Sequence, residues 1–409
     1  MISLDSLSKL HIEDELKPMR IKAWERVTTL GLPERSEAFQ YLPLSQFYAT
    51  SFLNDVPVPL TKETLDAHIY PECRESVIVF IDGKFSPEFS RVPKQVVLLS
   101  LTEAQRSYGA FLQSRWKVQE KENDPFAILN AALHPKGSFL FIPPKTQLTH
   151  PLQIVQVITG PYAFPRIHLC LGAQAQASTV STVLSLFKGP SWFNGVMDIA
   201  LDAGAKLNNT SLLLPSEDAW HFSALRATLK RDSGLHSISV TAGAKSVRQD
   251  YRIALTGENA EADLRGICML DAGKQAHAHV LMEHEAPHCQ SMQLFKGVLK
   301  DASRSSFEGK IKVAPEAQKT QAYQLNKHLL LDDRAMANSK PNLEIFADDV
   351  KASHGATVSQ LDPLQLFYLQ TRGIPAEAAK TLLVRGFCKE ILDSIPQESI
   401  RNQLEQEYL

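Results

Sequence analysis

Paired cysteines are missing from this sequence. The five cysteines, Cys73, Cys170, Cys268, Cys289 and Cys388, are scattered, odd in number and form no CxxC pair. That excludes a disulfide framework and fits a reduced, cytosol-like compartment, so a cytoplasmic location is expected. An excess of one charge is missing too. With 43 basic and 45 acidic residues the formal net charge is −2, so no global field draws the chain to nucleic acid or to an anionic membrane. No stretch approaches the roughly 18 apolar residues of a membrane span. The opening MISLDSLSKLHIEDELKPMR has no basic start followed by an apolar run, so a secretory signal is not expected. Nucleotide and hydrolase signatures are absent as well. There is no GxxxxGK[ST], only the fragment GAKS at 243–246, and no GxSxG or GxGxxG. The chain alone is not expected to bind ATP or to act as a common hydrolase.

What remains is an ordinary globular balance, 44% hydrophobic and 22% charged over 409 residues, enough for about two or three domains at roughly 100–200 residues each. Three textures follow one another. Residues 1–125 are mixed. Pro18 to Leu30 carries Ile21, Trp24 and Val27 at helical spacing, ended by Gly31 and Pro33; ESVIVFIDG (75–83) reads as a strand and turn; LTEAQRSYGAFLQSRW (101–116) reads as a helix with Thr102 as N-cap. Over 126–358 the period changes to two. In SSFEGKIKV (305–313), Phe307, Gly309, Ile311 and Val313 share one face. In QAHAHVLMEH (275–284), Ala276, Ala278, Val280 and Met282 oppose His277, His279, Leu281 and Glu283. Such alternation predicts half-buried strands.

Short small-residue segments recur after apolar strands: LGAQA (171–175), LDAGA (201–205), TAGA (241–244), LDAG (270–273) and, more loosely, TGENA (256–260). Recurring small corners suit a β-helix whose strands stack coil upon coil; a β-sandwich would alternate as well but does not call for regular corners. The fold class read from this pattern is mainly β, a parallel β-helix core flanked by a helical N-terminal region and a helical C-terminal domain over 359–409. There Asp362 suits an N-cap, Pro363 the first helical position and Gly373 a C′ position. Ala379, Leu382, Leu383, Gly386, Phe387 and Ile391 then form an apolar stripe, and Pro396 divides this helix from a last one carrying Ile400 and Leu404. The stripe is either core or a partner groove.

Histidines offer the metal chemistry. His284-Glu285-Ala286-Pro287-His288 fits HExxH, but that motif needs a helix to bring both rings to one zinc. Pro287 opposes a helix there. An extended segment would hold the rings about 13 Å apart, against zinc–nitrogen bonds of about 2 Å. A solenoid corner is the expected reading, with no zinc bound. His277 and His279 could chelate a metal from one strand face, although a solvated face is the plainer reading. Cys170 and Cys268 read as core thiols. His354, in ADDVKASHGATVSQLD (347–362), has no cysteine within thirty residues. It continues the parity of Val350 and Ala352, which fits a core or strand-end histidine, a turn residue, or a ligand in a site completed by another chain.

The segments FKGVLKDASRSSFEGKIKV (295–313), AQKTQAYQLNKHLLLDDRAMANSKPNLEIFADDVKASHGATVSQLD (317–362) and LFYLQTRGIPAEAAKTLLVRGFCKEIL (366–392) resemble the SufB/SufD family of iron–sulfur cluster assembly scaffolds, with DDVKxSHGAT in its SufD wording. HEAPHCQSMQLFKGVL (284–299) fits the family as well, and GLPERSEAFQYLPL (31–44) matches its Gly-Leu-Pro element loosely. The resemblance implies a right-handed parallel β-helix and a non-enzymatic scaffold that pairs with SufB through the β-helices. It further implies docking of the SufC ATPase through the C-terminal helices, here at Leu382, Leu383 and Phe387. A transient iron–sulfur cluster would form at the SufB–SufD junction, with His354 as a candidate ligand. The family often has a cysteine where this chain has Ala352, and that thiol is read as dispensable. Imidazole can bind iron in place of thiolate. A reduced flavin in the complex and a homodimer in isolation are compatible with the resemblance. A carbohydrate-binding or carbohydrate-cleaving β-helix is the alternative reading.

Overall fold

Two-residue alternation resolves into two facing ten-stranded sheets, with consecutive strands of the chain alternating between them. The structure, a computed structural model, describes residues 2–10, 12–34, 36–52, 57–119, 121–214 and 218–408. It is mostly β, a parallel solenoid of about eight coils with helices at both ends. Gly234 pairs with Glu261, Gln290 with Gln321 and Gln321 with Lys351, so a coil takes 27 to 31 residues. Among the described strands, antiparallel pairs occur only near the start, where Val77–Ile81 meets Lys84–Phe85 and Val97–Ser100 meets Ser138–Ile142.

The small-residue segments are the corners. Along one row, Gln174, Gly204, Asp232, Asn259, His288 and Lys319 all take positive φ, between 57° and 68°. Each donates its backbone N–H to the carbonyl one coil on: Gln174 to Ala203, Gly204 to Arg231, and so on to Lys319 and Asp349. Left-handed backbone is costly for a non-glycine residue, of order 1 kcal/mol. The coil-to-coil hydrogen bonds offset that cost. The next residue turns into the corner and has almost no room, which explains the sequence of Ala175, Ala205, Ser233, Ala260, Cys289 and Thr320, all buried.

The lumen has two halves. Ile199, Ala227, Ile253, Met282, Ile311 and Leu343 stack in one column, part of the largest apolar cluster. Each of the isoleucine, leucine and methionine side chains contributes roughly 1.5–3 kcal/mol on burial. On the facing sheet, Thr179, Asn209, Ser237, Leu264, Gln293 and Gln324 form a mostly polar column. Thr179 donates to Asn209 Oδ1 at 3.0 Å and Asn209 to Ser237 Oγ at 3.0 Å.

The ends differ in detail from the sequence reading. The helix Lys17–Leu30 buries Arg20, Ala23 and Val27, while Ile21 is exposed. Arg20 ion-pairs with Asp14 at 2.7 Å and donates to the Ala132 carbonyl, so a paired charge occupies the face expected for an aliphatic. The helix Leu101–Gln119 is capped by Ser100, not Thr102: Ser100 Oγ accepts the Glu103 N–H, and Glu103 accepts the Ser100 N–H. Ser-x-x-Glu is the reciprocal cap that satisfies two orphan donors together. His277 and His279 do face outward, yet that face is covered. His277 is buried, with Nδ1 2.8 Å from Ser306 Oγ, and His279 Nδ1 lies 2.6 Å from buried Asp250.

Several buried imidazoles make stability depend on pH. Burial lowers His221 and His277 to about 3 and His284 and His328 to about 4. The unfolded chain takes up protons near 6.5 that these folded sites refuse. Their stability is therefore complete above 6.5 and is lost as pH falls towards the folded values. Each costs about 2 kcal/mol by pH 5. Asp250 and Glu122 are lowered by their arginines despite burial, so their contribution starts to fall only as pH drops into the ordinary carboxylate range and is lost below it. Denaturant titrations at pH 7 and pH 5 are expected to show a clear loss with net proton uptake on unfolding; equal stability at both would refute the assignment.

Candidate functional site: the open end of the solenoid

The last coil is built from Met336–Ile345 and Lys351–Gln360, the terminal strands of the two sheets. Strands of earlier coils alternate buried and half-buried residues, whereas Lys351–Gln360 is almost wholly exposed. Met336, Phe346 and Val358 are exposed and Leu343, Ile345 and Ala352 only half-buried. One edge is blunted: Pro341, which has no N–H, sits in the middle of Met336–Ile345, a position proline tolerates on edge strands. The other edge, KASHGATVSQ, carries no proline. Such an unpaired strand is a template for pairing with another chain.

His354 lies in the middle of that strand. Its register partner is Gln324, which is buried, so His354 continues the polar lumenal column into the last coil. No further coil covers it, and its side chain is exposed. It is neither a turn residue nor a satisfied core histidine. Among the described residues its ring has no hydrogen-bond partner. Ala352 lies on the same lumenal side, half-buried. Cysteines do not gather here. Cys73, Cys170, Cys289 and Cys388 are buried and Cys268 nearly so, and burial raises the Cys268 thiol to about 11. Among the described residues no three His, Cys, Asp or Glu side chains converge as a metal site.

A second feature flanks this end. Asp362 accepts the Leu364 N–H at 2.8 Å, Pro363 follows, and Gly373 takes φ 83° beyond the helix Pro363–Thr371. That helix buries none of its residues. Leu364 is 76%, Phe367 65% and Tyr368 58% exposed. The helix Ala376–Leu392 has two apolar faces. Cys388, Ile391 and Leu392 seat it on the outer face of the solenoid with Ile267 and Leu294. Phe387 belongs with this seat: it is half-buried, its carbonyl accepts from Lys296 at 2.7 Å and its ring lies 5.0 Å from that ammonium. Lys296 also pairs with Glu390 at 2.7 Å. Leu382 is 51% exposed and Leu383 half-buried, on the outward side. The exposed Leu364, Phe367 and Tyr368 were not singled out in the sequence, although PLQLFYLQT carried their signal.

HEAPH is a corner. The strand Gln275–His284 ends at the first histidine, whose Nε2 lies 2.9 Å from Ser291 Oγ in the lumen. His288 is exposed with φ 60°. One ring faces inward and the other outward, so a single ion cannot take both. The purified chain is expected to hold no stoichiometric zinc, and a chelator should leave its melting temperature unchanged, because a structural zinc contributes directly to folding. One zinc per chain by metal analysis, lost on His284→Ala, would contradict this.

Comparison with known proteins gives the family. Residues 155–387 match the family described as SUF system FeS cluster assembly, SufBD core domain, and residues 5–154 match the SufBD protein N-terminal region. An iron–sulfur cluster assembly SufBD family protein of Synechocystis is 30% identical over 397 residues, covering 92% of this chain and 87% of that one. The iron–sulfur cluster assembly protein SufD of Escherichia coli is 26% identical over 394 residues, 93% and 89% of the two chains. SufD of Bacillus subtilis is 24% identical over 423 residues, 98% and 95%. No helix among the described residues is long and apolar enough to cross a membrane. The chain belongs to the SufBD family of the SUF iron–sulfur cluster assembly system.

Proposed function

We propose that this chain is a non-catalytic scaffold subunit in which the open solenoid end pairs with a SufB-type partner. The carrying observation is the uncapped last coil, which presents an unpaired strand, half-covered lumenal side chains and an unpartnered imidazole together. Pairing along Lys351–Gln360 would satisfy the edge and extend the lumen. The nascent cluster is the cargo of this junction. His354 supplies one ligand and the partner supplies thiolates, since imidazole and thiolate both bind iron in clusters. A site split between two chains can take up and release its cargo as the interface moves. The exposed helices dock a SufC-type ATPase, which supplies ATP hydrolysis that this chain has no sequence motif to perform. The family match displaces the carbohydrate-active reading.

The test is co-expression with the SufB and SufC homologues of the same organism, followed by affinity purification on this chain. A stable complex of all three is expected, with SufB lost on Ala356→Pro and Val358→Pro, which remove donors on the open edge. Failure of either homologue to copurify would refute the scaffold assignment.

A further inference from the structure

Directly beneath His354 in the lumen lies Gln324, its register partner one coil in, and beneath that lies Gln293. Side chains in one column of a parallel sheet are about 4.8 Å apart at their backbones, within reach for a long amide. Gln324 is 2% exposed. Its Nε2 donates to the Gly309 carbonyl at 3.5 Å, while its Oε1 is buried with no partner. Glycine at 309 is what admits the amide: a Cβ there would overlap the Gln324 head group. Gln293 is fully buried and both of its amide atoms lack partners. A buried acceptor left unpaired is costly, and His354 is the exposed, unpartnered N–H donor one coil on. Other groups at this end compete poorly. Pro341, one coil beyond Gly309 in its column, offers no N–H, and Ala352 and Ala356 flank His354 on its own lumenal side. Ser339, whose hydroxyl is also unpartnered, lies in the row of Phe307 on the facing strand.

We propose that Gln324 is a positioning residue for His354: its Oε1 accepts one ring N–H, which fixes the tautomer and leaves the other ring nitrogen unprotonated and directed out of the lumen. A metal-bound histidine commonly has its second nitrogen held in this way, and the hydrogen bond decides which nitrogen is free to coordinate. Gln324 Oε1 has two lone pairs, so it can accept from Gln293 and His354 together. The functional value of this bond rests on the ligand reading of His354, but the bond itself does not.

The experiment reads the ring without any cluster. The full chain is labelled with 15N-histidine, His354 is assigned by its loss in His354→Ala, and the ring nitrogen shifts are recorded at pH 8. The wild type is expected to show one tautomer in about tenfold excess, the bias that about 1.4 kcal/mol of hydrogen bonding produces. Gln324→Leu should remove most of that excess. Gln324→Glu, which keeps the acceptor, should restore it, and Gln293→Leu, one coil deeper, should leave it intact. Thermal melts show that each variant is folded. Unchanged tautomer populations in Gln324→Leu would overturn the proposal, as would an equal response to Gln293→Leu, which would mark general repacking of the lumen. If Gln324→Leu fails to fold, Gln324→Met is the second variant, held to the same outcomes. Either failure would leave the ligand reading standing, because that reading is judged by cluster maturation in His354→Ala.

Discussion

His354→Ala is expected to abolish cluster maturation in cells while leaving a folded chain that still assembles with its partners. The side chain is exposed and unpartnered in the last coil, so its removal takes away no packed contact. The cost is limited to the one hydrogen bond proposed to Gln324, about 1.4 kcal/mol, which leaves the chain folded. A histidine that served only the fold would behave differently: maturation would decline in step with the melting temperature and the yield of complex. The measurement is a complementation assay beside a thermal melt and a copurification of the same variant. His354→Cys should recover part of the activity, since thiolate is an alternative iron ligand, whereas His354→Gln should not. A folded, assembled His354→Ala complex that matures clusters at the normal rate would remove His354 from the mechanism.

The second large effect is expected at the helical face. The double variant Leu364→Asp, Phe367→Asp should lower affinity for the SufC-type ATPase by at least tenfold, because each apolar side chain withdrawn from an interface core is worth roughly 1.5–3 kcal/mol. Neither residue is buried in this chain, so its melting temperature should be unchanged. Leu382→Asp and Leu383→Asp should weaken the same contact. Phe387→Asp provides the contrast. Its ring packs beside Lys296 at the seat of the long helix, so that change should loosen the helix and lower the melting temperature before it alters docking. Calorimetry on the purified chains decides the matter; wild-type affinity in the Leu364, Phe367 double variant would place the ATPase elsewhere.

The solenoid was legible because its demands repeat. Every coil needs a small residue inside a left-handed corner, so Ala175, Ala205 and Ala260 recur where the chain turns, and each strand needs an apolar side facing the lumen. The cap at Asp362 and the stop at Gly373 were legible because backbone geometry at helix ends admits few residue types. What alternation could not reveal is what covers the second face. His277 and His279 sit opposite the lumen as the pattern requires, but Arg248 and Asp250 on the neighbouring strand and the packed N-terminal region enclose that face. The stripe on the long C-terminal helix read as one surface because spacing does not distinguish the side carrying Leu382 from the seat of Phe387 and Ile391. Gln324 gave no signal, since Gln324, Asn326 and His328 form a polar face that alternation alone assigns to solvent, whereas all three are buried.

The unpaired strand Lys351–Gln360 also bears on how much of this chain a cell can safely make. Ten residues of open edge, without a proline and carrying the exposed Val358, are a template for any strand nearby, including that of another copy. On the pairing proposed above, supply of this subunit is tied to supply of its partner. Chain made in excess should end as self-associated or degraded material, and a balanced gene dosage becomes a condition of solubility as well as of function.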